Sequence, residues 1–246
     1  RRRARGAAGG PGVLGSAGAR AWRGSVGSCP AGGSTVSKTT NGGAAWADAT
    51  SPLSTIVRVQ PTDSQVAFVI GADSTCSAEI KRTSNGGRSW TSGSAVGSAW
   101  FRDPKSPVNV MAPGPSTMQP CGQREVVDLS VLSLGSAEVL CADGQVRSTT
   151  NTGSSWSDVG KASGAVAMDV SSATPATTYV AILDAPGCAG VQVRRIDQSA
   201  PTSCASTAVP KTPGLIALSL VPGGGWLSVG DATMRSTDNL LTWRTS

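Results

Sequence analysis

An eight-residue window ending in tryptophan returns four times along this chain, and a recurrence in that form restricts the fold to stacked, equivalent units. The copies are TTNGGAAW at 39–46, TSNGGRSW at 83–90, TTNTGSSW at 149–156 and STDNLLTW at 236–243. Each fixed place has a physical task. Asn41, Asn85, Asn151 and Asp238 at the third place offer a side-chain oxygen to backbone amides two residues on, as in an Asx-turn. Gly43, Gly87 and Gly153 at the fifth place supply a positive φ without a Cβ penalty. Ser or Thr at the first place adds a hydroxyl to the same turn. Trp46, Trp90, Trp156 and Trp243 begin the next strand and carry a large ring to bury. Each window therefore reads as a β-hairpin corner.

The spacing sets the unit. Asn41 and Asn85 are 44 residues apart, and Asn151 and Asp238 are 87 apart, which is two such steps. A worn copy belongs between the latter two, at Asp197, where Ser199 replaces the glycine and no tryptophan closes the turn. Short apolar runs bounded by Gly, Pro, Ser and Asp fill each period. Examples are 56–59, 66–70, 126–129, 166–170, 179–183 and 226–229, and they read as strands. No segment carries a capped apolar stripe of helical period. Units of 40–50 residues with four strands each are propeller blades. The 66 residues from Asn85 to Asn151 hold two inner-strand candidates, Trp100-Phe101 and 126–129. Either one blade carries an insertion or a further blade has lost its window. The second choice gives an all-β propeller of six four-stranded antiparallel blades; five is the alternative.

On these windows the chain resembles the Asp-box, or BNR, repeat of sialidase-type propellers, sortilin-type receptors and photosystem II assembly-factor-like proteins. The resemblance covers roughly residues 35–246. It departs from the motif in carrying Asn in three copies and Leu240 in place of glycine in the last. It implies the fold and little about activity, because such repeats lie at the blade periphery, away from a central ligand site.

Charge narrows the partners. Of 21 basic residues, six (Arg1, Arg2, Arg3, Arg5, Arg20 and Arg23) crowd into residues 1–23. The remainder balances 15 basic against 15 acidic residues. A neutral domain behind a basic, Gly- and Ala-rich segment points away from nucleic acid. Residues 1–27 are expected to be disordered and 28–246 to form one propeller, with no membrane span and as a monomer. Six cysteines without a Cys-x-x-Cys pair and with no histidine favour disulfides over metal, the alternative being buried thiols. Cys29, Cys76, Cys141 and Cys188 precede their window Asn or Asp by 9–12 residues, so they occupy equivalent hairpins. Cys188–Cys204 is the pair expected to bond, at the blade without an anchoring tryptophan. Disulfides place the protein outside the cytoplasm, secreted or at the cell surface.

The chemistry is sparse. Absence of histidine excludes Ser-His-Asp and Cys-His catalysis and His-ligated metals; no metal or cofactor is expected. The sialidase resemblance implies a Tyr nucleophile with a Glu partner, three clamping Arg and an acid/base. Tyr179 is the one tyrosine, and its strand-like run suits packing. Phe101-Arg102-Asp103-Pro104 resembles a clamp motif, yet it also aligns with 57–61 as an inner strand entering its turn. Asp103, Asp128 and Asp169 are the candidate channel carboxylates, with glycosidase-type acid/base work as one reading and backbone hydrogen bonding as the other. The long Pro-rich segment 113–121 is a candidate recognition loop. The expectation is a non-catalytic binding or scaffold module for a protein or carbohydrate ligand; the alternative is a sialidase-like glycoside hydrolase.

Overall fold

The computed structural model describes residues 12–93, 95–114, 116–207 and 214–246, which form six antiparallel sheets arranged as the blades of a β-propeller. Blade 1 is β1 (Gly12–Ala17), β2 (Arg20–Ser25), β3 (Val36–Thr39) and β4 (Ala47–Ala49). Blade 2 is β5 (Thr55–Pro61), β6 (Ala67–Ala72), β7 (Ala78–Thr83) and β8 (Thr91–Ser92). Blade 3 has three strands among the described residues, β9 (Phe101–Arg102), β10 (Val110–Ala112) and β11 (Ser116–Met118). Blade 4 is β12 (Val126–Val131), β13 (Ala137–Cys141), β14 (Gln145–Thr149) and β15 (Ser157–Lys161). Blade 5 is β16 (Ala165–Val170), β17 (Thr178–Leu183), β18 (Val191–Arg195) and β19 (Ser203–Ala205). Blade 6 is β20 (Ile216–Val221), β21 (Gly224–Val229), β22 (Ala232–Ser236) and β23 (Arg244–Thr245). The first strand of each full blade lines the axis. The ring closes where β1 packs against both β5 and β20.

The windows are the turns between third and fourth strands, and they share one hydrogen-bond scheme. The first-place hydroxyl accepts the fifth-place amide: Gly43 to Thr39 at 3.0 Å, Gly87 to Thr83 at 2.9 Å, Gly153 to Thr149 at 2.9 Å. That hydroxyl donates to the Asn or Asp side chain at 2.8–3.0 Å. The third-place oxygen then accepts the amides of Ala45, Ser89, Ser155 and Thr242 at 3.0–3.1 Å. These amides lie four residues on, not the two expected, because two consecutive residues take positive φ and fold the chain tightly around the side chain. The pairs run from Gly86 and Gly87 (72° and 82°) to Asn239 and Leu240 (58° and 67°), so the last window bears the strain without glycine. At Gly87 a Cβ would lie 2.5 Å from the Ala49 Cβ and 3.3 Å from the Trp22 ring. Gly87→Ala is therefore expected to cost about 3 kcal/mol from strain and overpacking together. An unchanged urea midpoint would contradict this.

Each window indole reaches back to the preceding blade. Trp46 meets Trp226, Trp90 meets Trp22 and Trp156 meets Trp100, all edge-to-face at 6.0–6.2 Å between centroids. Trp243 donates to Ser203 of blade 5 at 2.8 Å. Blade 5 has no window indole. Asp197 pairs instead with Arg195, and Ile196 packs with Leu140, Val146 and Val180 to make the seam with blade 4.

Two expectations need correction. The segment 12–25 is not disordered but forms β1 and β2, with Trp22 fully buried; residues 1–11 lie outside the described residues. Its glycines are there for close approach. A Cβ on Gly15 would sit 2.3 Å from the Val59 carbonyl, and one on Gly24 would sit 1.9 Å from that of Thr35. The second correction concerns the candidate recognition loop 113–121, where residues 116–118 form the strand β11.

All six cysteines are bonded. Cys188–Cys204 forms as expected, joining the β17–β18 loop to β19. Cys29–Cys76 links the equivalent hairpins of blades 1 and 2, and Cys121–Cys141 ties the exit of β11 to β13. Such pairing belongs to an oxidising compartment. No described helix is long and apolar enough to cross a membrane.

Candidate functional site: the central channel

The axial channel has two halves. The connector-side half, at the starts of the inner strands, is a cavity of about 280 Å³ whose lining includes Leu14, Arg58, Arg102, Glu125 and Asp128. The window-side half, about 290 Å³, is lined by Ser16, Ser130, Asp169 and Ser219 among others. Arg58 and Asp128 belong to both and mark the waist.

Blade 3 breaks the wall of this channel. Trp100, just before β9, donates to the Leu134 carbonyl in the β12–β13 turn at 2.8 Å. The turn after β9 lies at the other end, where the Val126 amide meets the Pro107 carbonyl at 2.8 Å. So β9 runs opposite to the adjoining inner strand β12, and the expected alignment of 101–104 with 57–61 does not hold. Its direction matches a second strand. Trp100 accordingly does what Trp226 does: the Trp226 indole donates to Gly18 in the first hairpin of the next blade at 3.0 Å. The preceding segment holds a 3-10 turn at Val96–Ser98 where an inner strand would descend. Two guanidinium groups reach across this place. Arg58 donates to the Trp100 carbonyl at 3.1 Å, and Arg102 donates to the Val127 carbonyl at 2.6 Å and the Val126 carbonyl at 3.4 Å.

Asp128 and Asp169 sit at matching places in β12 and β16 and brace the next blade. Asp128 accepts its neighbour Leu129 at 2.8 Å and, across the seam, the Met168 amide at 2.9 Å. Asp169 accepts Ser130 at 2.6 Å, Val170 at 2.9 Å and the Leu220 amide of blade 6 at 2.7 Å. All four carboxylate oxygens are engaged. Burial pushes both acids up, Asp128 against the attraction of Arg102 and Asp169 to about 6. Burial also lowers Arg58 to about 10, with only partial compensation from Asp169.

Asp103 is not in the channel. Its carboxylate accepts the Lys105 amide at 2.9 Å and the Asn109 side chain at 3.4 Å, within the turn that follows the reversed β9. Tyr179 is on the second strand β17, lining a separate cavity of about 360 Å³ with Leu220 and Leu240. The tyrosine is thus not brought together with Arg58 and Arg102. Sequence reasoning missed Arg58 as a channel residue. Its signal was a charge interrupting the apolar run 56–59, at a place where β5 carries a bulge. Among the described residues no three His, Cys, Asp or Glu side chains gather to hold a metal ion.

The raised Asp169 has a stability consequence. Its folded value of about 6 exceeds the ordinary 3.8, so the folded state holds the proton more tightly. That contribution is full below pH 4 and is lost as pH rises through 6, a change of about 3 kcal/mol at most. Denaturation midpoints measured from pH 4 to 7 should show this decline, and Asp169→Asn should flatten it. A wild-type profile that is flat over that window would contradict it.

No protein-family model matches the chain, and no curated protein matches it. Among solved structures, it is similar to YCF48 bound to D1 peptide at 13% identity, covering 95% of this chain and 65% of that one, with a TM-score of 0.33. It is similar to a GH74 enzyme of Niastella koreensis at 16% identity, covering 94% of this chain and 30% of that one, with a TM-score of 0.37. It is also similar to a mutant of the Aleuria aurantia lectin AAL in complex with Fucalpha1-6GlcNAc. There the identity is 11%, the coverage 96% of this chain and 94% of that one, and the TM-score 0.55. At these identities the likeness is one of fold. The chain spans less than two thirds of the YCF48 chain and under a third of the GH74 enzyme.

Proposed function

We propose that this propeller, built on Asp-box-type windows, is an exported, non-catalytic binding or scaffold module for a protein or carbohydrate partner. One observation carries the reading. The two buried carboxylates that a hydrolase would need, Asp128 and Asp169, spend every oxygen on amides and a hydroxyl of the protein itself. A general acid or base must have an atom free to meet substrate. The frame around them is rigid, tied by three disulfides and interlocked indoles, which suits presentation of a fixed surface.

The test pairs a glycan and peptide array with a panel of aryl glycosides. Specific capture without turnover is the expected result. Turnover that disappears in both Asp128→Asn and Asp169→Asn would overturn the proposal in favour of the glycosidase.

A further inference from the structure

The seams between blades repeat one device away from the axis. The second strand turns an aromatic ring toward the next blade, opposite a cation on the third strand: Trp22 pairs with Lys38, Trp226 with Arg235 and Tyr179 with Arg195. The next blade offers a carbonyl in its first hairpin, one residue before the carbonyl that accepts the window amide. Trp226 donates to that carbonyl at Gly18, Trp100 donates to it at Leu134, and the Lys38 ammonium reaches it at Ser64, 3.2 Å away. In blade 6 the same place is Pro222, since the adjoining Gly223 carbonyl accepts the Asn239 amide at 2.9 Å. Nothing among the described residues donates to Pro222. Tyr179 carries one ring where Trp22 and Trp226 carry two, and its hydroxyl does not reach that carbonyl. Leu240 holds the window place that Gly87 holds against Trp22, yet it packs on its own blade, where a Cβ on Gly225 would meet its Cδ2 at 3.0 Å. The window indole Trp243 meets Ser203 rather than a second indole. Between these groups lies the cavity of about 360 Å³ that Tyr179 lines.

We propose that this cavity between blades 5 and 6 binds an indole group, whose N–H is donated to the Pro222 carbonyl while its ring packs against Tyr179. The inference rests on the binding-module reading and gives it a ligand chemistry. The protein itself supplies the template, because two other seams fill the matching place with an indole bonded to the matching carbonyl. None of the described residues lining the cavity is charged, which favours a neutral ring over an ion. Tyr179, Leu220 and Leu240 provide apolar walls, with few polar groups between them, as small-ligand sites do. An aromatic ligand gains an edge-to-face or offset contact with the tyrosine beyond the area it buries. Ser172, Pro222 and Asn239 are exposed at its rim, so the cavity opens to solvent on the window face.

The test is titration of the intact, isotope-labelled protein with indole, N-acetyltryptophanamide, 1-methylindole and glucose, followed by amide chemical shifts. The two N–H indoles should saturate, moving the amides of Tyr179, Gly223, Asn239 and Leu240 and leaving those of the axial strands β5 and β12 in place. 1-Methylindole keeps the ring and loses the donor, and should bind several-fold more weakly. N-acetyltryptophanamide binding at least as tightly as indole would identify a tryptophan side chain of a protein partner as the ligand; weaker binding would identify a free indole compound. Tyr179→Trp with Leu240→Gly rebuilds the pairing of Trp22 with Gly87 inside the protein and should abolish binding. If that variant does not fold, the wild-type shift map and the 1-methylindole comparison decide. No saturable binding of either N–H indole, equal affinity for 1-methylindole, glucose bound as tightly as indole, shifts centred on the channel, or undiminished binding in the folded double variant would each overturn the inference. If no indole binds while array capture persists, the binding-module reading stands and only this site falls.

Discussion

Trp226→Ala is expected to lower stability by about 4 kcal/mol, in the range measured for emptying a large aromatic site. The indole is fully buried in β21. It holds three neighbours at once. Trp46 stacks edge-on against it at 6.2 Å and 81°, its Nε1 donates to the Gly18 carbonyl at 3.0 Å, and Arg235 lies over its ring at 5.3 Å. Its seam is also the one where the first and last blades meet, and none of the three disulfides crosses it. Loss of the ring leaves a cavity at the only closure made without the covalent chain. Guanidinium unfolding of wild type, Trp226→Phe and Trp226→Ala should rank the variants in that order of falling stability, with phenylalanine recovering part of the packing but not the hydrogen bond. A Trp226→Ala midpoint equal to wild type would show that the seam is held elsewhere.

Removing Cys29–Cys76, by Cys29→Ser with Cys76→Ser, is expected to cost about 4 kcal/mol. The bond closes a separation of 47 residues, whereas Cys121–Cys141 closes 20 and Cys188–Cys204 closes 16. Chain entropy makes the longest loop the most stabilising, with about 3 kcal/mol for the shorter two. The bond also acts between blades, beside a cluster of Trp22, Leu53, Ile56 and Val59 that packs the same seam. Denaturation of the three double-serine variants under one set of conditions should place this one lowest. If Cys188→Ser with Cys204→Ser is the most damaging, the disulfide's role in the blade without a window indole outweighs loop length.

How much of this was written locally decides what the sequence could tell. The windows were legible because the whole corner is built from residues within eight positions, each with its own steric or hydrogen-bonding task. Cys188–Cys204 was legible for a similar reason, a short separation at a blade that visibly lacked its indole. Blade 1 was not. Its Gly and Ala residues imitate an unstructured segment, and the contacts that demand them, with Val59 and Thr35, lie 44 and 11 residues away. Blade 3 failed differently. Trp100-Phe101-Arg102 reads the same whichever way the strand runs, and a two-residue strand has no alternation to fix its direction. The matching places of Asp128 and Asp169 were visible, but their partners Met168 and Leu220 belong to the next blade, so their bracing role needed the fold.

The reversed β9 also decides how a visitor sees this molecule. A pore with six identical walls would offer six equivalent poses, each one-sixth occupied. Here two adjoining walls, β5 and the reversed β9, each carry one guanidinium group, so the lock has a single keyway, and whatever docks at that opening is oriented about the axis by the seam beside the one blade that departs from the pattern.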